Sequence, residues 1–408
     1  MNTSESSVKR PSWMQVLALC LIVATISVLL TGYFVSSRYA SDAPSADGLS
    51  ADKRDRKLDE IQALLDRYYV GQYEEKDLLD MLAVGYMSGI DDKWAYYTTA
   101  EDLEDLYADK SGSYAGIGVT VTQNTETGLL TITEVYPGSP AEEAGIQCLD
   151  QLYSVEGEEV ATIGMNATVA KVRGEVGSRV NLGILRNGEL IEVSVERRTV
   201  EKVSVTAKML DDEIAYLRIS EFTAAAAQQF SASLQEMIDG GAKGLIMDVR
   251  NNPGGQLTTL ISMLDCLMPE GDVFIERDKA GNENRLRVDG KYCDLPLIVL
   301  VNEYSYSAAE YFAAVMQEQG RADVAGTATT GKGEGQQTFV LSDGSAITFS
   351  VIKYFTPNGV SIGEQGGIQP DLPVEMPDDL LAKIGTLDAA EDPQIAAAVE
   401  QMKANLQK

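Results

Sequence analysis

The chain of 408 residues contains no histidine. That absence removes the usual general base of serine and cysteine hydrolases. It also weakens any zinc site, for which imidazole is a common ligand. Cysteine is scarce: Cys20, Cys148, Cys266 and Cys293 stand apart, without a CxxC-type pair. The last three read as small apolar fillers, and Cys20 lies in an apolar run with no small residue before it, which argues against lipidation. Basic residues number 33 against 62 acidic ones, a net charge of -29. Lys9, Arg10 and Arg38 balance Glu5, Asp42 and Asp47, so the whole excess falls in residues 51–408. A body this acidic argues against nucleic acid, and against lying on an anionic lipid surface.

The hydrophobic fraction, 44%, is ordinary for globular protein, and the length leaves room for two to four domains. Residues 14–35 carry no charge. At about 1.5 Å per residue such a run crosses the roughly 30 Å hydrocarbon core. Lys9 and Arg10 precede it, so the expected topology is a single-pass signal-anchor with residues 1–35 as cytoplasmic tail and span, and the body outside the cytoplasm. A cleaved signal peptide is the rival, though its apolar region is usually only about 7–15 residues. Residues 36–50 are Ser/Ala/Asp-rich and read as a linker. Residues 51–112 form a small helical region, with Leu58, Ile61, Leu64 and Leu65, then Leu78, Leu79, Leu82 and Val84, at helical spacing.

From 113 to 198 the pattern turns to short alternating strands: 117–122, 129–135, 151–155, 179–186 and 189–197, with one helical run at 166–173. Asn187-Gly188 between two of them is a hairpin signal. Residues 199–375 alternate strands (214–219, 244–248, 297–302, 322–325, 338–341, 346–351) with helices (224–238, 256–266, 308–319), an α/β pattern with sites expected at strand ends. Residues 376–408 are acidic, Ala-rich and helical, and suggest no chemistry. No internal repeat is present.

Ser307 follows the buried-strand run 296–302 and opens the helix 308–319. Ser307-Ala-Ala-Glu310 fits a capping box, so the serine can be a plain N-cap. The same position exposes a hydroxyl beside the free N–H groups of a helix start, which suits a nucleophile. Ser305 competes for that role. Lys332, 25 positions on, closes GTATTGK at 326–332. That run imitates a phosphate-binding loop, but Gly333 stands where Ser or Thr should hold magnesium. As a base, Lys332 must be brought from about 10.4 toward neutrality, a change worth about 4 kcal/mol. Thr329, Thr330, Phe339, Tyr354 and Phe355 are the residues available to bury it. DVRNNPGG at 248–255 closes a strand with adjacent glycines, a turn able to aim N–H groups at an anion.

Tyr114-Ala-Gly116-Ile117-Gly118-Val119, PGSPA at 137–141 and Ala144-Gly-Ile146 resemble a PDZ domain. Five blocks in order resemble the carboxyl-terminal processing peptidases, the tail-specific serine proteases of family S41. They are the PDZ segment, Tyr216–Ser220 with Phe222, DVRNNPGG, SYSAAE at 305–310 with GKGEGQ at 331–336, and TPNG…GGIQPD at 356–371. The resemblance implies a multidomain α/β chain: a transmembrane helix, a helical segment, a PDZ domain over 113–198, a ClpP/crotonase-like protease core over 199–375 and a helical tail over 376–408. It implies a Ser-Lys dyad, in keeping with the missing histidine, with Ser307 as nucleophile, Lys332 as base and Gln336 orienting the lysine. The N–H groups of Ala308 and Gly254, the latter favoured over Gly255, form the oxyanion hole. In the PDZ domain, Tyr114, Gly116, Ile117, Gly118 and Val119 hold a peptide C-terminus that adds as a strand, and Arg173 reports its binding. The implied partners are protein C-termini and a second copy of the chain, and no metal or cofactor is needed. A silent extracellular PDZ adaptor, or a lysine-assisted hydrolase of other amides and esters, are the rival readings; the intact Ser307, Lys332 and Gln336 and the PDZ segment argue against them.

Overall fold

A computed structural model describes residues 51–407 apart from 126, 212 and 382. The expected anchor (14–35) and linker (36–50) lie outside the described residues. Among the described residues no helix is long and apolar enough to cross a membrane. The chain divides into two units, one ending at Asp77 and one running from Leu78 to Lys408. The first contributes the helix Ala51–Tyr68 and the start of Glu75–Ser88.

In the second unit, the protease-like core is a six-stranded sheet ordered Val205–Met209, Ile214–Ile219, Gly244–Asp248, Leu297–Val301, Ala322–Gly326, Leu372–Pro373. All pairs except the first are parallel. Strands covered on both faces must be apolar throughout, and Leu297–Val301 is buried at every position. Helices Ala226–Asp239, Leu257–Asp265 and Ala308–Glu318 pack into one core with one face. Ile395, Ala398 and Met402 of the helix Pro393–Leu406 cover the other. Ala308 through Met316 are all buried, so the helix that starts at the candidate nucleophile runs through the interior.

A second sheet joins Tyr96–Thr98, Ala346–Phe355, Gly271–Asp278 and Glu283–Val288, with Glu334–Val340 beside Ala346–Phe355. The hairpin Gly271–Val288, absent from the sequence reading, carries charge on most exposed positions, which hides its alternation. The strand expected at 338–341 is longer and begins at Glu334.

Residues 119–196 form a separate antiparallel sheet around its own core of Ile117, Leu130, Leu182 and Val195 among others. The strands Gln151–Val155 and Arg179–Arg186 fall where the alternation puts them. Asn187 and Gly188 both take positive φ, 52° and 85°, as a two-residue type I′ hairpin requires. The helix expected at 166–173 starts earlier, at Val160, and is broken at Gly164 (φ 80°, ψ 170°). A two-stranded ladder, Ser113–Gly116 with Arg198–Glu201, closes the module where the chain enters and leaves it. The three described cysteines are free thiols.

Candidate active site

Parallel registry brings three chain segments to the same end of the core sheet. Asp248 lies opposite Leu300, and Val301 opposite Gly326. DVRNNPGG, Ser305–Ser307 and the Lys332 loop therefore leave the carboxyl ends of neighbouring strands, where α/β folds build their sites.

Ser307 occupies a strained backbone position, φ 58° and ψ -125°, and its side chain makes no capping bond. The capping box expected from Ser307 to Glu310 is thus not built by the serine hydroxyl. A non-glycine residue held there costs about 1–3 kcal/mol and leaves the hydroxyl facing the cleft. Ser305 is decided differently: it is fully buried, its Oγ donates to the Val249 carbonyl at 2.7 Å, and it accepts from Asn302 N–H at 3.0 Å. A hydroxyl so committed cannot be the nucleophile.

Gly254 has φ 95°, and a Cβ there would lie 2.7 Å from Ser307 Cβ and 2.9 Å from Ala308 N. Only glycine lets the two turns approach so closely. The Gly254 N–H, expected in the oxyanion hole, already donates to Asn252 Oδ1 at 2.8 Å in a buried bond. The donor that faces the cleft is next door: Gly255 lines the cavity with Ala308, and among the described residues neither N–H has an acceptor. The two N–H groups open to the cleft are therefore those of Ala308 and Gly255, whereas that of Gly254, expected in the pair, is engaged by Asn252.

Lys332 is 8% exposed. Its N–H donates to Glu310 Oε2 at 3.0 Å, Gly331 N–H donates to Oε1 at 2.7 Å, and Tyr354 donates to the Lys332 carbonyl. The two N–H groups that a phosphate-binding loop would offer are therefore spent on a carboxylate. Burial lowers the Lys332 amine to about 8; Asp92 and Glu334 pull it up, and Lys93 pushes it down. Its Nζ sits 4.3 Å from the Trp94 ring centroid and 5.9 Å from that of Tyr306, and those two rings stack at 5.6 Å. Among the described residues no hydrogen bond joins Lys332 Nζ to Ser307 Oγ; the serine hydroxyl instead reaches Tyr354.

Among the described residues no hydrogen bond joins Gln336 to Lys332. Its amide donates to the Glu334 carbonyl at 3.0 Å and to Ser350 Oγ at 3.1 Å. Ser350 N–H donates to Asp92 Oδ2 at 2.7 Å, and Trp94 N–H to Asp92 Oδ1 at 3.0 Å. The glutamine thus connects to the lysine through the strand and loop that carry Trp94. Asp92 and Trp94 were invisible in the sequence reading, since nothing in a helical-looking stretch 240 residues upstream marks a side chain that packs on the Lys332 amine. Ser307, Lys332, Gln336, Trp94 and Gly255 line one cavity of about 910 Å³.

The second cavity, about 280 Å³, is a largely apolar groove in the 113–198 module. Tyr114, Gly116, Ile117, Gly118 and Val119, all expected there, line it, and so does Arg173. Arg173 pairs with Asp105 of the helix Leu103–Ser111 and lies 5.2 Å from the Tyr114 ring centroid. It thereby joins the groove to the segment that precedes the module.

Two sequence families overlap these two sites. Residues 213–374 match the model of peptidase family S41, and residues 131–186 match a PDZ domain. The carboxyl-terminal-processing protease of Synechocystis sp. is 33% identical over 322 residues, 77% of this chain and 74% of that protein. The chain belongs to peptidase family S41. A second relative, carboxy-terminal processing protease CtpA of Bacillus subtilis, is 30% identical over 372 residues, 90% of this chain and 78% of that one. A putative S41 protease from Bacteroides fragilis shares the fold, with TM-score 0.50 at 19% identity over 82% of this chain and 90% of the other. The chain is a serine-type peptidase of the carboxyl-terminal processing group and carries a PDZ domain.

Proposed function

We propose that Ser307 and Lys332 form a catalytic dyad that cleaves protein substrates recognised near their C-terminus through the PDZ groove. The observation that carries this reading is the pair itself: a strained, uncapped serine hydroxyl and a buried amine lowered to about 8, in one cavity of a chain without histidine. Neutral Lys332 takes the Ser307 proton as Oγ attacks the peptide carbonyl. The N–H groups of Ala308 and Gly255 hold the tetrahedral oxyanion. The ammonium then protonates the leaving amine, and water, deprotonated by the same lysine, releases the acyl group from Ser307. Gln336 acts on this chemistry by fixing the Ser350–Asp92–Trp94 connection. No step calls on a metal or cofactor.

The groove at Tyr114–Val119 supports recognition of a free C-terminus, with the peptide added as a strand beside Val119–Gln123, and Arg173 coupling its occupancy to the preceding helix. Amidating the last residue of an otherwise identical substrate should lower kcat/KM at least tenfold; equal rates would remove the groove from substrate selection.

The uncharged run 14–35 supports a membrane anchor with the catalytic body outside the cytoplasm. Exposed apolar side chains, Ile61, Leu64 and Tyr68 on one helix and Leu79, Met81 and Tyr86 on the next, support a homodimer through the N-terminal helices. The full chain should therefore pellet with membranes and sediment in detergent as a dimer; a soluble monomer contradicts both.

A further inference from the structure

Lys110 is a second half-buried amine in the catalytic cavity, and the dyad leaves it without a role. It lies near the end of the helix Leu103–Ser111. Its carbonyl accepts from Gln256 Nε2 at 2.7 Å, and Gln256 follows the Gly254-Gly255 turn. Its side chain reaches the strand Glu334–Val340, where Nζ donates to Thr338 Oγ1 at 2.8 Å; that hydroxyl is itself 2.9 Å from Thr348 Oγ1. Lys110 thus connects the oxyanion turn with the strand that follows Lys332.

An ammonium has three donors. Here one is used, on a neutral hydroxyl, and among the described residues no carboxylate pairs with Lys110. In a chain with 62 acidic and 33 basic residues this is unexpected. The cavity's carboxylates are engaged elsewhere: Glu221 pairs with Lys202 at 2.6 Å, and Glu276 accepts from Asn284 at 2.9 Å. Burial acts on Lys110 with nothing opposing it and pushes its pKa down. A half-buried cation without a counter-charge is costly to keep, and a carboxylate arriving in the cavity would relieve that cost with charge-assisted hydrogen bonds.

We propose that Lys110 forms a subsite for a substrate carboxylate and so determines specificity. The carboxylate takes the two free N–H donors of Nζ while Thr338 keeps the third. It comes from an Asp or Glu side chain flanking the scissile bond, or from the α-carboxylate of a short segment beyond it. The proposal rests on the Ser307–Lys332 reading for the cavity's being the substrate site, and on the geometry of Lys110 for the rest.

The test scans Glu against Gln through each position flanking the cleaved bond of a long peptide with an amidated end. A second arm compares free and amidated ends in short all-Gln peptides. We expect the carboxylate to raise kcat/KM about tenfold at one position or at the short free end; the arm that responds names the source. Lys110→Met should erase the preference, and Lys110→Glu should turn it toward Lys at the same position, a gain that misfolding cannot produce. Equal kcat/KM for every Glu/Gln and free/amidated pair overturns the subsite, as does a preference that survives Lys110→Met. Binding of the same peptides to the full chain carrying Ser307→Ala separates the two claims. If the unmodified chain cleaves none of them, the peptidase reading falls. Carboxylate-dependent binding, lost when Lys110→Met is added, then still sustains the subsite, and carboxylate-independent binding overturns it.

Discussion

Replacing Ser307 with Ala, or Lys332 with Met, is expected to lower kcat for an unstructured protein substrate by a thousandfold or more, and the double variant to be no worse than either. Members of a nucleophile–base unit act together, so removing one removes the function of the other. Lys332→Met keeps most of the volume packed on Trp94, and its thioether remains compatible with an aromatic face; the fold should survive. Lys332→Arg should fail as completely, because a guanidinium stays protonated at every working pH. The pH dependence carries its own sign. Burial favours the neutral amine and brings Lys332 down to about 8. The active form is the deprotonated one, so kcat/KM of the unmodified chain rises with pH through about 8 and levels above it. Full activity in either single variant, or a rate that does not change through that range, sinks the dyad.

Much of this site was legible because strand and helix patterns were strong where the chemistry sits. Gly244–Asp248 and Ile214–Ile219 begin and end where their apolar runs do, and the segments that leave strand ends therefore converge. Side-chain partners between distant segments were not legible. Gly254 and Gly255 are equivalent in a sequence; the Asn252 side chain, which consumes one N–H and leaves the other, distinguishes them only in three dimensions. Gln336 sits four residues from Lys332, yet its bulged strand turns the amide toward Ser350. Arg250 gives the same lesson for the C-terminal tail. It is fully buried, bonded to Asp248 at 2.6 Å, to Asp392 at 2.9 Å and to Gln394 at 2.8 Å. The tail that suggests no chemistry of its own thus braces the turn that leads to Gly254 and Gly255, through a pair 142 residues apart.

The S-x-x-E spacing signalled Glu310 and its bond to the Ser307 backbone, and left out the loop donors that share the carboxylate. Glu310 is fully buried and also accepts from Thr329 Oγ1, Gly331 N–H and Lys332 N–H. Burial raises its pKa, those donors hold it back, and among the described residues no cation pairs with it. The carboxylate holds the Lys332 loop against the helix that starts after Ser307. Glu310→Ala leaves those three donors unpaired, two of them in buried bonds at about 1–3 kcal/mol each, so the melting temperature falls and kcat drops about a hundredfold. The pH profile distinguishes positioning from bulk stability. With the loop released, water reaches Lys332, its amine returns toward the ordinary lysine range, and the midpoint of the kcat/KM profile moves alkaline of about 8. Glu310→Gln keeps one acceptor but turns an amide N–H toward a backbone N–H, and should fall between the two in both rate and midpoint. A variant that melts earlier while its profile stays where it was would make Glu310 a brace for the fold alone; a shifted midpoint ties this carboxylate to the proton that Lys332 must lose.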